Sequence, residues 1–156
     1  MNEKIQIDIY KGLPMVLEKV KGVALAAVIG KPSSWLNHKL EHYTVNGVER
    51  RFFDYDVELL NAAIYSLGCE ISSSLIEYSP EREKVIKQVR ELAKIVSMPY
   101  IYKNVLEKKD QWFRCRLLSR KPGGKVSSFK EDDILKINMA AMQIANELKS
   151  IEFVLK

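Results

Sequence analysis

Two short runs of this chain gather side chains that donate hydrogen bonds or carry positive charge. The first holds Lys31, Ser33, Ser34, Asn37, His38 and Lys39; the second, 77 residues later, holds Lys108, Lys109, Arg114 and Arg116. Hydroxyl, carboxamide and imidazole groups pair with the edges of nucleic-acid bases, while ammonium and guanidinium groups neutralise phosphates. Arg50 and Arg51 follow the first run, and Arg120, Lys121 and Lys125 follow the second, so each run is extended by further cations. Other chemistries lack the residues they need. His38 and His42 stand four apart, as two ligands on one helix face would, but no third or fourth ligand is near, and no metal site is expected. Cys69 and Cys115 form no CxxC pair and read as buried or incidental thiols of a reducing cytoplasm. Gly123-Gly124 lacks a surrounding phosphate-loop motif, and Glu131-Asp132-Asp133 is better explained as the start of a helix. No nucleophile–base arrangement or catalytic carboxylate pair can be placed. The expectation is therefore a protein that is not an enzyme and takes no cofactor.

The elements that must position those side chains occur twice. A shift of 77 residues brings Trp35 onto Trp112, Lys31 onto Lys108, Leu40 onto Leu117, Gly47 onto Gly124, Phe52 onto Phe129 and Asp56 onto Asp133. The matches keep one order of roles: apolar segment, polar turn, helix led by tryptophan, glycine turn, phenylalanine, acidic start, long amphipathic helix. Two copies of one unit are expected, residues 1–79 and 80–156, with the junction near Ser79-Pro80.

Each unit reads as three or four helices. The first spans Leu13–Lys21 or Val85–Val96, the second Val23–Ile29 or Tyr100–Leu106, the third Trp35–His42 or Trp112–Ser119. Ser33 or Ser34 is the expected N-cap of the third helix in one copy and Asp110 in the other. Asn37, His38 and Lys39 then face outward, with Arg114, Cys115 and Arg116 in the same places, while Trp35 and Trp112 belong to the core. A short hairpin or a loop around Asn46-Gly47 and Gly123-Gly124 comes next. The last helix is the clearest: Val57, Leu60, Ile64, Leu67, Ile71 and Tyr78 in one copy, and Ile134, Ile137, Ala141, Ile144, Leu148, Ile151 and Leu155 in the other. The fold class expected is all-α, made of two tandem helix-turn-helix-like units.

Charge separates the two copies. The net charge is +5, but residues 1–80 carry −2 and residues 81–156 carry +7. Between Lys103 and Lys130 nine basic residues face two acidic ones, Glu107 and Asp110, the footprint expected for a polyanionic partner. With 47% hydrophobic residues there is material for a core, and no apolar run approaches a membrane span. The opening MNEKIQIDIY lacks the layout of a secretion signal, so a cytoplasmic protein without a membrane partner is expected.

The stretch from Leu25 to Leu40, with Gly30-Lys31-Pro32-Ser33-Ser34-Trp35-Leu36 at its centre, resembles the helix pair of phage-repressor-like helix-turn-helix DNA-binding domains. In that family the helix after the turn often starts Ser-Trp-Leu. The wider pattern Gly-Lys-x-x-x-Trp-Leu-x-x-x-Leu, followed by a glycine turn, Phe, acids and a helix, also resembles small tandem-helical domains of Bacteroides and relatives. The resemblance implies base reading by Ser33, Ser34, Asn37 and His38, with Lys39 or Lys31 on phosphate. The second copy departs from it where Glu107 replaces Gly30 and where Lys103 and Asn104 replace Ala26 and Ala27. Double-stranded DNA is the expected partner; the alternative is a helical adaptor that contacts only protein. An adaptor would expose an apolar groove, and a DNA binder a continuous basic surface joining the two third helices.

Overall fold

A computed structural model of the chain describes residues 3–118 and 126–156. In order, β1 is Ile5–Asp8, α1 Ile9–Lys19, α2 Gly22–Val28, α3 Ser33–Leu40, β2 Thr44–Val45, β3 Val48–Glu49 and α4 Asp54–Ser73. Then come α5 Arg82–Leu92, α6 Met98–Tyr100 continuing as a π-helical segment Ile101–Val105, α7 Asp110–Leu117, α8 Glu131–Ser150 and β4 Ile151–Val154. The chain is mostly helical, which fits the all-α expectation, and the strands form two small sheets, of which the β2–β3 hairpin was expected as an alternative to a loop and the β1–β4 pair was not. Among the described residues no helix is long and apolar enough to cross a membrane.

α4 and α8 lie against each other through the centre of one continuous core. Their apolar stripes place Leu60, Ile64, Leu67 and Ile71 against Ile137, Ala141, Ile144 and Leu148, all buried. Gly68 permits the close approach, because a Cβ there would sit 2.9 Å from the carbonyl oxygen of Ala145. Acids open both helices as their sequences require. Asp56 accepts the N–H of Phe53 at 2.8 Å and Asp133 that of Lys130 at 2.9 Å, each satisfying a donor the helix start leaves free.

Both long helices end before their apolar patterns do. Ile151 and Leu155 continue the periodicity of α8, yet the chain turns extended at Ile151, and β4 pairs in parallel with β1, Ile5 opposite Ile151 and Ile7 opposite Phe153. Ile151 and Phe153 are buried and their neighbours half-buried, so the segment Ile-Glu-Phe-Val satisfies strand periodicity as well as helix periodicity. The partner strand at the far end of the chain decides between them. Tyr78, likewise, lies beyond α4, in the irregular connection to α5.

α1 begins at Ile9 rather than Leu13 and carries Pro14 in its interior. The expectation of a later start placed that proline in the first turn, where its missing N–H costs nothing. Burial of Ile9, Leu13 and Val16 on one face outweighs the lost hydrogen bond.

Candidate nucleic-acid interface

α2 is short, apolar on its inner side through Leu25 and Ala26, and closed by Gly30 in the left-handed region at φ +70°. The N–H of Lys31 reaches the carbonyl of Ala26 at 2.9 Å and that of Gly30 the carbonyl of Ala27 at 3.1 Å, the double bond pattern of a glycine-terminated helix. Pro32 sets the extended residue before α3, which starts at Ser33. The counterpart turn has Glu107 at φ +56° and a bond from the Lys108 N–H to the Tyr102 carbonyl at 2.7 Å, after a π-helical rather than an α-helical turn. A left-handed residue with a side chain costs roughly 1 kcal/mol more than glycine, so this second turn is held by its surroundings. Tyr102 supplies part of that support: its ring stacks on Phe113 at 4.9 Å and its hydroxyl donates to Asp110.

No serine or aspartate side chain caps α3 or α7. The residues preceding the helices are Pro32 and Lys109, two positions earlier than starts at Trp35 and Trp112 required. Ser34 is therefore left exposed, with Ser33 half-buried, while Asp110 is engaged by Tyr102 and by Lys103 at 3.2 Å. Those two partners, the phenol first, hold the Asp110 carboxyl below its ordinary range. Burial, then the bond to Asp110, pushes the Tyr102 phenol up to about 12.

On α3, Leu36 is buried and Trp35 half-buried, its ring edge-on to Phe52 at 6.1 Å. Asn37 is exposed, and His38 is half-buried against the edge of Tyr43 at 5.1 Å. Lys39 is not outward. It is buried, 3.0 Å from the Asp56 carboxylate, which is itself 1% exposed, and 2.8 Å from the Arg51 carbonyl. Its ammonium also lies over the rings of Trp35, at 5.2 Å, and Phe53, at 5.0 Å. Lys39 thus cannot serve a phosphate without abandoning a buried carboxylate. Three and four residues beyond Leu36 and Trp35, it falls on the apolar side of α3, and its alkyl stem fits there.

α7 repeats much of this arrangement. Phe113 is buried and Trp112 stands edge-on to Phe129 at 5.8 Å. Arg114 is exposed, as are Lys108 and Lys109. Arg116, at the position of Lys39, is half-buried over Trp112 at 4.4 Å and donates to that residue's carbonyl at 3.0 Å. Arg82, on α5, donates to the carbonyls of Arg116 and Ser127 and so fastens α7 to the segment that precedes α8. Cys115 is buried rather than outward, and both cysteines are free.

Asn46 and Gly47, at φ +51° and +78°, turn the hairpin of β2 and β3. Arg50 and Arg51 leave its second strand exposed, Arg51 over the ring of Phe53 at 5.4 Å. Arg120, Lys121 and Lys125 lie outside the described residues, as does the Gly123-Gly124 turn.

The structure brings Ser34, Trp35, His38, Lys39 and Arg50 to one open cleft of about 250 Å³. Lys108, Lys109, Trp112, Cys115 and Arg116 line another of about 410 Å³. Lys31, Ser33, Asn37 and Arg114 flank these clefts on the same two turns and helices. Asp56, which anchors Lys39, stood out in the sequence only as the acidic start of a helix, and Arg82, which anchors α7, did not stand out at all. An acid at the start of a long helix reads equally well as a cap, and only the fold reveals its second partner. No known protein family, no curated protein and no solved structure matches this chain significantly.

Proposed function

We propose that this chain is a non-enzymatic DNA-binding protein, built from two copies of one helix-turn-helix-like unit, residues 1–79 and 80–156. The observation that carries the reading is the α2–turn–α3 geometry. A glycine-closed turn sets a short helix; Lys31 on the turn, its ammonium over the Trp35 ring at 5.9 Å, and Ser34 and Asn37 on the helix are exposed, with Ser33 and His38 half-buried. The counterparts of α3 and α4, namely α7 and α8, start and end 77 residues later. The correspondence is looser elsewhere among the described residues: β1 has the first turn of α5 as its counterpart, α2 has α6 and the π-helical segment, and β4 falls opposite residues 74–77 of the irregular connection.

The two copies contribute unequally. In the first, Ser33, Ser34, Asn37 and His38 read base edges, while Lys31, Arg50 and Arg51 meet phosphates. In the second, Lys108 and Lys109 grip the backbone, joined by Arg120, Lys121 and Lys125 from outside the described segment, and Arg114, at the position of Asn37, reaches a base edge. Lys39 and Arg116 are given structural work instead.

The test is titration of labelled duplex DNA at two salt concentrations with the intact protein and a Lys108→Ala/Lys109→Ala/Arg114→Ala variant. Binding that falls by about tenfold or more between 50 and 200 mM salt, and that the variant weakens and makes less salt-dependent, supports the proposal. No binding at low salt, or binding the variant leaves unchanged, overturns it.

A second reading rests on α8, where Leu135, Met139 and Met142 are exposed at helical spacing. An adaptor would use that stripe for a protein partner. It would then show weak salt dependence and indifference to the basic residues.

A further inference from the structure

The contacts between the two halves carry information about the shape of the DNA target. Head-to-tail repeats join unlike surfaces, so residue j of one copy meets residue k of the next with no reciprocal contact. Two-fold repeats join like surfaces: a residue near the axis meets its own counterpart, and every j–k contact has a k–j twin.

The contacts around the crossing of α4 and α8 are of the second kind, whereas the β1–β4 pairing and the Lys19–Glu147 ion pair have no twin among the described residues. Gly68 lies against Ala145, its counterpart 77 residues on. The Lys149 ammonium donates to the hydroxyl of Ser72, again its own counterpart, at 2.9 Å. The reciprocal pairs are just as direct. The Asn61 side chain donates to the Phe153 carbonyl at 3.0 Å and accepts the Phe153 N–H at 2.7 Å. Asn138, the counterpart of Asn61, makes the same two bonds to Ile76, the counterpart of Phe153, both at 2.8 Å. Finally, Val20 and Val96, one residue short of being counterparts, form an antiparallel bridge, flanked by bonds from the Lys21 N–H to the Ile95 carbonyl at 2.7 Å and from the Ser97 N–H to the Lys19 carbonyl at 2.8 Å. An antiparallel bridge has a local two-fold of its own.

We infer that the two helix-turn-helix-like units are related by an intramolecular two-fold, and that the chain therefore recognises an inverted repeat, one half-site per unit. The inference rests on the DNA-binding reading above. A duplex has local two-fold axes perpendicular to its length, and a protein whose reading helices share a dyad sets its half-sites in opposite orientation. Most such proteins acquire the dyad by dimerising; here one chain carries it. The half-sites are not identical, because the exposed residues differ. Asn37 offers a carboxamide suited to adenine where Arg114 offers a guanidinium suited to guanine. The target is an imperfect palindrome with an adenine-dependent half and a guanine-dependent half.

The experiment is selection of the full chain against a pool of random duplexes at low salt, followed by titration of defined duplexes. These carry the enriched half-sites as an inverted repeat, as a direct repeat at the same spacing, and singly. The inverted repeat should bind on the order of a hundredfold more tightly than a single half-site, and the direct repeat should bind no better than the single one. Asn37→Ala should relax base preference in one half only, and Arg114→Ala in the other. An enriched direct repeat, equal binding of single and inverted sites, or both variants acting on the same half would overturn the inference and leave DNA binding standing. Failure to enrich any sequence, with no binding to the pool at low salt, would overturn both.

Discussion

Lys39 and Asp56 form the most consequential pair of side chains in the molecule, since both are withdrawn from water and each leaves the other uncompensated if removed. Lys39→Met keeps the alkyl stem but strands the carboxylate, so it should lower unfolding stability by about 3 kcal/mol in urea titration. Lys31→Ala, on the exposed turn, should change stability by less than about 0.5 kcal/mol while weakening duplex binding. Equal stability losses in the two variants would show that the pair is not buried as described. Tyr102 and Asp110 give a pH signature. The phenol's folded value, about 12, lies above its ordinary value of 10.0, so its contribution to stability is complete below pH 10 and is lost as pH rises through the folded value. The Asp110 carboxyl is displaced downward, so its contribution is present above the ordinary carboxylate value and is lost as pH falls through the lower folded one. Ultraviolet titration of the native protein should reveal a tyrosine ionising near pH 12, and Tyr102→Phe should remove that step. Persistence of the step in the variant would assign it elsewhere.

Among the elements, the crossing of α4 and α8 tolerates the least change. Gly68→Val should destabilise by about 2–3 kcal/mol, because the Cβ would meet backbone, the Ala145 carbonyl, which cannot rotate away. Thermal or urea unfolding measures this directly, and a neutral or stabilising outcome would contradict the closeness of the crossing. The long helices were the most legible elements in the sequence, for their apolar residues recur over five turns and their acidic starts are local signals. The hairpin was half legible: Asn46-Gly47 marks its turn, but the strands are two residues each and leave almost no pattern. β1 and β4 were not seen, since a four-residue apolar alternation also satisfies a helix and each strand's partner lies at the other end of the chain.

Across the whole molecule, residues of both halves enter one core, and the first and last strands pair with each other. Unfolding should therefore be a single cooperative transition. Trp35 and Trp112 lie in different halves, so Trp35→Phe and Trp112→Phe variants, each reporting through the remaining indole, compare the halves directly. In each variant the fluorescence midpoint in urea should coincide with that from circular dichroism; separated midpoints would mean that the halves melt independently. What the sequence determined by itself was whatever depends on neighbours along the chain: helix periodicity, the glycine turn before α3, the acids that open α4 and α8, and the uneven charge. What only the tertiary structure decided was whatever depends on residues far apart, namely the burial of Lys39 beside Asp56, the switch of Ile151–Val154 to a strand, and the reciprocal asparagine bonds between halves. The physical reason is the same in each case. A side chain's or strand's local preferences are worth about 1 kcal/mol or less, and a partner brought from elsewhere in the chain is worth more.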